Sequence, residues 1–227
     1  MKKVIYFGLL VLCQLGFAQD KKDDAYYDRC QFYGGIGAGF NSDYKIEPLI
    51  QAAGLPQPAN TVPEFSFGLN FLTKNWSIDE EIASNSYKKT NTNSSITNFN
   101  FSFRVRGHYN FVNNEKIQFS GGLNLAYTRN DMNLYSNYNQ VDLNNLAGSS
   151  SSYIRLSNGM FYTGPSIGFG IKKKNNLIAR LNMGYEVAIL SGKWKSDYAN
   201  VSNSIRETGQ NRFTVGVVVF FGKAKKM

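Results

Sequence analysis

This chain of 227 residues has two cysteines, one histidine and five prolines, and no apolar run long enough to cross a membrane as a helix. Each shortage excludes something. Cys13 lies in the N-terminal apolar stretch, so removal of that stretch leaves Cys30 alone and an internal disulfide framework is ruled out. A lipid anchor on Cys13 is disfavoured because Leu12 precedes it where a small residue would be expected. With one His and effectively one Cys, no cluster has metal-ligand spacing. A Ser–His–acid catalytic site would have to use His108. The glycines of "GGIGAGF" sit inside a strand pattern and open no helix, so a dinucleotide loop is not supported. No cofactor is expected.

What is present begins with a leader. "MKK", the apolar "VIYFGLLVLCQLGF" and the small residues ahead of Gln19 read as a secretory signal peptide over 1–18. Its apolar core is shorter than the roughly 20 residues of a spanning helix. Residues 19–30 then form a periplasmic N-terminal segment, 31–221 the main domain, and 222–227 a basic tail. The whole chain carries a formal +9. Without Lys2 and Lys3, 23 basic residues face 16 acidic ones. An exported chain with scattered basic residues is not a nucleic-acid binder. The run "KKK" at 172–174 and the tail "GKAKKM" read as solvated or membrane-surface charge.

The strongest pattern is period-2 alternation. In "NFNFSFRVRGHYNF" (98–111) Phe99, Phe101, Phe103, Val105, Tyr109 and Phe111 share one face, and Asn98, Asn100, Ser102, Arg104, Arg106, His108 and Asn110 the other. Similar runs are "FSFGLNF" (65–71), "IQFSGGLNLAYT" (117–128), "FYTGPSIGFGI" (161–171) and "RFTVGVVVFF" (212–221). In "LIARLNMGYEVAI" (177–189) Leu177 falls on the apolar face and Ile178 on the other. A Gly-rich strand over about 31–41 and a weaker one over 75–88 make eight. Links at 73–75, 113–116 and 172–176 are short; those at about 42–63, 89–96, 132–152 and 191–208 are mostly longer. Short turns at one end and long loops at the other are the mark of an outer-membrane barrel. In hydrocarbon a sheet must close on itself, because every backbone polar group needs an internal partner. The expected fold is therefore all-β: an eight-stranded antiparallel transmembrane β-barrel with short periplasmic turns and longer extracellular loops.

Parity then assigns the interior. Asp79, Glu81, Arg104, Arg106, His108, Arg180, Glu186 and Arg212 face inward, and buried charges must pair. Glu186–Arg212 and Glu81–Arg104/Arg106 contacts are predicted. An eight-stranded barrel has room for side chains and little else, so the lumen reads as plugged. In the third strand, outward Trp76, Ile78 and Ile82 bring Glu80 out with them, which calls for a bulge or a position near an interface. In "YKIEPLIQAAGLPQP", Ile46, Leu49, Ile50 and Ala53 recur at helical spacing and predict a short helix on the first loop, packed over the mouth or presented to a partner. Tyr135, Tyr138, Trp194 and Tyr198 are candidate loop contacts or, equally, residues of the outer aromatic girdle.

Taken together, the leader followed by Gln19, the paired hairpins, "TGPSIGFG", the last strand "FTVGVVVFF" and the insert "IEPLIQAAGLP" resemble the small OmpA/OmpX-like outer-membrane β-barrels of the "porin family" type, Bacteroidetes members especially. The chain departs from them in continuing past Phe221 with "GKAKKM". The resemblance implies residence in the outer membrane, insertion by the barrel-assembly machinery, contact with outer-membrane lipid, and a protein partner at the extracellular loops or in a larger outer-membrane complex. It implies no single activity. The residues favour a non-enzymatic structural or interaction role. The rivals are a narrow pore for ions or small solutes, a lipid-modifying enzyme using His108, and a soluble barrel carrying an apolar ligand in an inverted interior.

Overall fold

In the computed structural model, which describes residues 29–136, 153–173, 176–202 and 204–226, the alternating runs become eight strands. They are β1 (Arg29–Asn41), β2 (Thr61–Leu72), β3 (Trp76–Thr90), β4 (Ser94–Asn113), β5 (Ile117–Ser136), β6 (Tyr153–Lys173), β7 (Asn176–Ser191) and β8 (Asn211–Lys226). Every strand pairs antiparallel with its sequence neighbours, and β1 pairs with β8, so the sheet closes. Eight antiparallel strands in a closed ring are the architecture of small OmpA/OmpX-type barrels. The leader and Tyr138 lie outside the described residues. Among the described residues no helix is long and apolar enough to cross a membrane.

Strand length follows the alternation and then exceeds it. Crossing at a tilt takes about 9–11 residues, yet β4, β5 and β6 have 20, 20 and 21. Their surplus rises as a wall on the long-loop side. The link expected over 89–96 contracts to three residues, because β3 runs to Thr90 and β4 starts at Ser94. The Asn91 side chain closes that turn by accepting from the N–H of Asn93 and of Ser94, at 3.0 and 2.7 Å. Loop asymmetry is thus weaker than the sequence suggests, and wall height supplies the rest.

Two irregularities alter the faces read from the sequence. The β6–β7 register shifts between Ile171 and Lys172, which turns Leu177 inward and Ile178 outward, the reverse of the expectation. A bulge adds a residue to one strand, so alternation read straight through it changes phase. Lys172, from the run read as solvated, is buried and donates from Nζ to Asn113 Oδ1 at 2.5 Å. It continues the inward set of β6. At the other seam β8 does not stop at Phe221. After Phe32↔Phe221 the pairing resumes at Cys30↔Lys225. The extra residues on β8 include Gly222 at φ 74, a left-handed conformation that glycine adopts without strain.

Candidate functional site: the barrel interior and its outer mouth

The interior is built in three layers by inward positions of all eight strands. At the short-turn end Tyr33, Leu72, Leu177, Val218 and Phe220 form an apolar floor. Above it lies one connected charge network. Arg180 donates to Asp79 at 2.6 Å, and Asn70 holds the other oxygen of Asp79 at 2.6 Å. Arg106 grips Glu81 with two parallel bonds of 3.0 and 2.7 Å, the bidentate geometry that guanidinium favours. Arg104 donates to Glu81, to Glu64 at 3.1 Å, and its Nε lies 3.4 Å from Glu186. Arg212 closes the chain by donating to Glu186 and, at 2.8 Å, to Thr128. Four guanidiniums thus meet four carboxylates inside the wall.

All eight residues assigned inward by parity are buried, and seven of them join this network through ion pairs. His108 does not. Its Nδ1 lies 3.1 Å from Ser120 Oγ and its Nε2 2.7 Å from Ser166 Oγ. A neutral imidazole has one donor and one acceptor, so one serine donates and the other accepts. Sequence reasoning missed Glu64, Tyr33 and Asn124, all in phase with their strands. Glu64 is one inward step before Ser66, where the sequence reading started its strand too late. Tyr33 reaches Glu81 at 3.2 Å by lying over Gly68, where a Cβ would stand 2.5 Å from its hydroxyl. Asn124 donates to Glu186. Cation–π contacts bind the network to the layers on either side: Arg180 stands 5.4 Å from the Phe220 ring, and Arg212 3.9 Å from that of Tyr162. The space left over is small. A cavity of about 20 Å³ between Glu64, Ser66, Glu81, Arg104, Arg106 and Asn182 has room for roughly one water.

The third layer closes the outer mouth. The predicted loop helix forms as α1 (Glu47–Ala52), with Pro48 in its first turn and Glu47 accepting the Tyr44 N–H at 3.0 Å. Ile46 and Ile50 point down into an apolar cluster with Ile96, Met132, Leu134, Met160, Tyr162 and Trp194. Leu49 stays exposed. Burial raises the Tyr44 phenol and the Glu47 carboxyl above their ordinary ranges, against the pull of their hydrogen bonds. Trp194, a candidate contact on sequence grounds, is 1% exposed and belongs to this lid. Its Nε1 donates to Glu207 at 2.8 Å, and Glu207 also accepts the N–H of Lys45 and of Ile46 at 2.5 and 3.2 Å. One carboxylate ties the loop after β1 to the loop after β7. Trp194→Phe keeps an aromatic ring in the lid but takes one donor from a buried carboxylate. It should cost about 1–3 kcal/mol, read as a lower unfolding midpoint with the barrel still closed.

Tyr135 and Tyr198 are exposed as expected and meet through Tyr153, with ring centroids 5.1 and 6.0 Å apart. Tyr135 stands eight residues above Tyr127 on β5. At about 3.3 Å per residue and a tilt near 40–45°, that is a climb of about 19 Å. Tyr135 is therefore a wall residue well above Tyr127 and Phe161, whose rings lie 4.9 Å apart; in a membrane that lower pair would stand at girdle height. Glu80 faces outward with no register shift along β3, beside Leu69 and Val105 and four residues above Trp76. Of the two ways expected to accommodate it, a bulge is not the one this strand adopts.

No family model and no curated protein matches this chain. Among solved structures it is similar to Ail, the attachment invasion locus protein of Yersinia pestis, at 11% identity, over 86% of this chain and 99% of that one, with a TM-score of 0.49. A major outer membrane protein from Thermus thermophilus gives 10% identity, 85% and 99% coverage and 0.49. The outer membrane protein OprG from Pseudomonas aeruginosa gives 14%, 86% and 97%, and 0.42.

Proposed function

We propose that this chain is an integral outer-membrane β-barrel, filled by its own side chains, with a structural or interaction role through its long-loop wall. The observation that carries the reading is the inversion of polarity across the sheet. Outward Phe32, Ile36, Phe65, Phe67, Leu123, Leu125, Ile167 and Val217 are exposed, while Arg104, Arg180 and Glu186 are buried. Monomeric soluble proteins seldom expose contiguous apolar patches beyond a few hundred Å². An apolar belt around a charged interior suits lipid outside and disfavours a soluble carrier, whose greasy face would point in. The ion-paired interior and the apolar layers above and below it argue against an open pore. His108, held between two serines inside the wall, is out of reach of a lipid substrate, which argues against an acyl-cutting enzyme. In this reading the leader 1–18 directs export, the barrel-assembly machinery inserts the chain, and outer-membrane lipid surrounds it.

Two measurements test the proposal. The detergent-extracted membrane fraction, run on SDS gels with and without boiling, should show a mobility shift. Recovery in the soluble periplasm with no shift would sink the membrane reading. In planar bilayers the purified protein should give no unitary conductance steps; regular steps would replace the filled interior with a pore.

A further inference from the structure

The outer wall above the girdle is not uniformly polar. Arg129 on β5 projects outward two residues above Tyr127, and its side chain is half exposed. Arg155 on β6 lies opposite Asn133, four residues along the strand from Gly159, the partner of Arg129, and leans toward Arg129 through their shared Asp131. One carboxylate, Asp131, holds both guanidiniums, at 3.2 Å from Arg129 and 3.4 Å from Arg155. The next segment pairs with β6 through Ser157 N–H to Lys195 O at 2.7 Å and Lys195 N–H to Ser157 O at 2.9 Å. Trp194 points into the lid, so its neighbours Lys193 and Lys195 stand on the other side, exposed. Asp197 is a second carboxylate acting on Arg155. Among the described residues, these four cations against two carboxylates leave this side positive. At the opposite seam the residues two steps above the Phe40–Phe213 pair are Ser42 and Asn211, both uncharged. A phenol joins the cations. The Tyr127 hydroxyl lies over Gly159, the partner of Arg129, where a Cβ would stand 2.6 Å from it.

We infer that Arg129, Arg155, Lys193 and Lys195, with the Tyr127 hydroxyl, bind the phosphate of an anionic lipid headgroup at the outer surface of the membrane. The inference rests on the membrane reading above. It goes beyond that reading by assigning the barrel one preferred side and one headgroup chemistry. Guanidinium forks match phosphate oxygens bidentately, ammonium groups add point charge, and the phenol supplies a neutral donor at the lower edge of the patch. The shared Asp131 orients the two forks without neutralising both.

The test uses the full mature chain refolded in non-ionic detergent, with phosphatidylglycerol or phosphatidylcholine offered and retained lipid counted by native mass spectrometry. The wild type should keep the anionic lipid at least about fivefold better, the factor that corresponds to about 1 kcal/mol for one cation at an anionic surface. In R129Q/R155Q/K195Q the preference should vanish, while K74Q, in the short β2–β3 turn at the other end of the barrel, should keep it. Equal retention of both lipids by the wild type, or an unchanged preference in the triple variant, overturns the inference. Loss of bound phosphatidylglycerol in excess inorganic phosphate would support phosphate recognition with a soluble source. The gel shift on boiling, recorded for every sample, separates the two failures. A closed barrel without lipid preference refutes this inference alone, and absence of a closed barrel refutes the reading beneath it.

Discussion

Glu81→Gln is expected to lower the stability of the barrel by about 3–5 kcal/mol, the range for removing one partner from a buried ion pair. Glu81 sits at the branch point of the interior network. It accepts from Arg104, twice from Arg106, and from the Tyr33 hydroxyl. The amide keeps the volume, so cavity formation contributes nothing. What changes is charge: two guanidiniums that are almost fully buried lose their shared counter-ion. Arg104 retains Glu64 and Glu186, and Arg106 retains only the distant Asp79 at 3.9 Å. The loss therefore falls mainly on Arg106. This supplies an internal control, because Glu81→Gln combined with Arg106→Gln removes the stranded charge and should recover part of the loss. Urea unfolding in lipid vesicles, followed by tryptophan fluorescence, measures both variants. A drop below about 1 kcal/mol for the single variant would mean that water or lipid headgroups reach Arg106, and the closed interior would be wrong.

The cost of a stranded buried charge is also why the network was legible in the sequence. Alternation fixes a face for every residue of a strand, and inward charge in a narrow barrel has no solvent to turn to. Parity with the pairing rule was enough to bring Glu186 to Arg212, and Glu81 to Arg104 and Arg106. The misreadings share a different cause. Leu177 and Ile178 were inverted because a bulge in the β6–β7 ladder changes phase without any residue type announcing it. Trp194 was placed among surface contacts because its burial depends on α1, more than 140 residues earlier in the chain, and on Glu207, and no local pattern encodes either. The link at 89–96 looked like a loop because Lys88, Lys89 and Asn91 are polar on both sides. On the membrane reading these residues stand above the lipid, where a strand needs no apolar face, so alternation fades while pairing continues. Along β3 and β4, legibility ended where alternation ended.

The same boundary makes Leu123→Arg the sharpest test of orientation. Leu123 faces outward at 64% exposure, midway on β5 between Phe119 and Tyr127, the aromatics that mark the two interfaces. Phe119 belongs to the ring cluster with Phe111 and Tyr109 at the short-turn end, and Tyr127 stacks on Phe161 at the other. If the wall faces lipid, a residue at that depth meets the hydrocarbon midplane, where arginine costs about 2–4 kcal/mol. In water an exposed leucine changed to arginine, with nothing packed on it, would move stability by about 0.5 kcal/mol or less. The two readings of the wall thus differ several-fold for one substitution, and neither requires Leu123 to contact anything inside the barrel. Unfolding should be measured twice, in vesicles and in a detergent whose headgroups can bend toward the arginine. The full loss is expected in vesicles and a smaller one in detergent, because the arginine reaches polar groups more easily there. A loss near zero in both would place that face in water, and the apolar belt would then need a covering other than lipid.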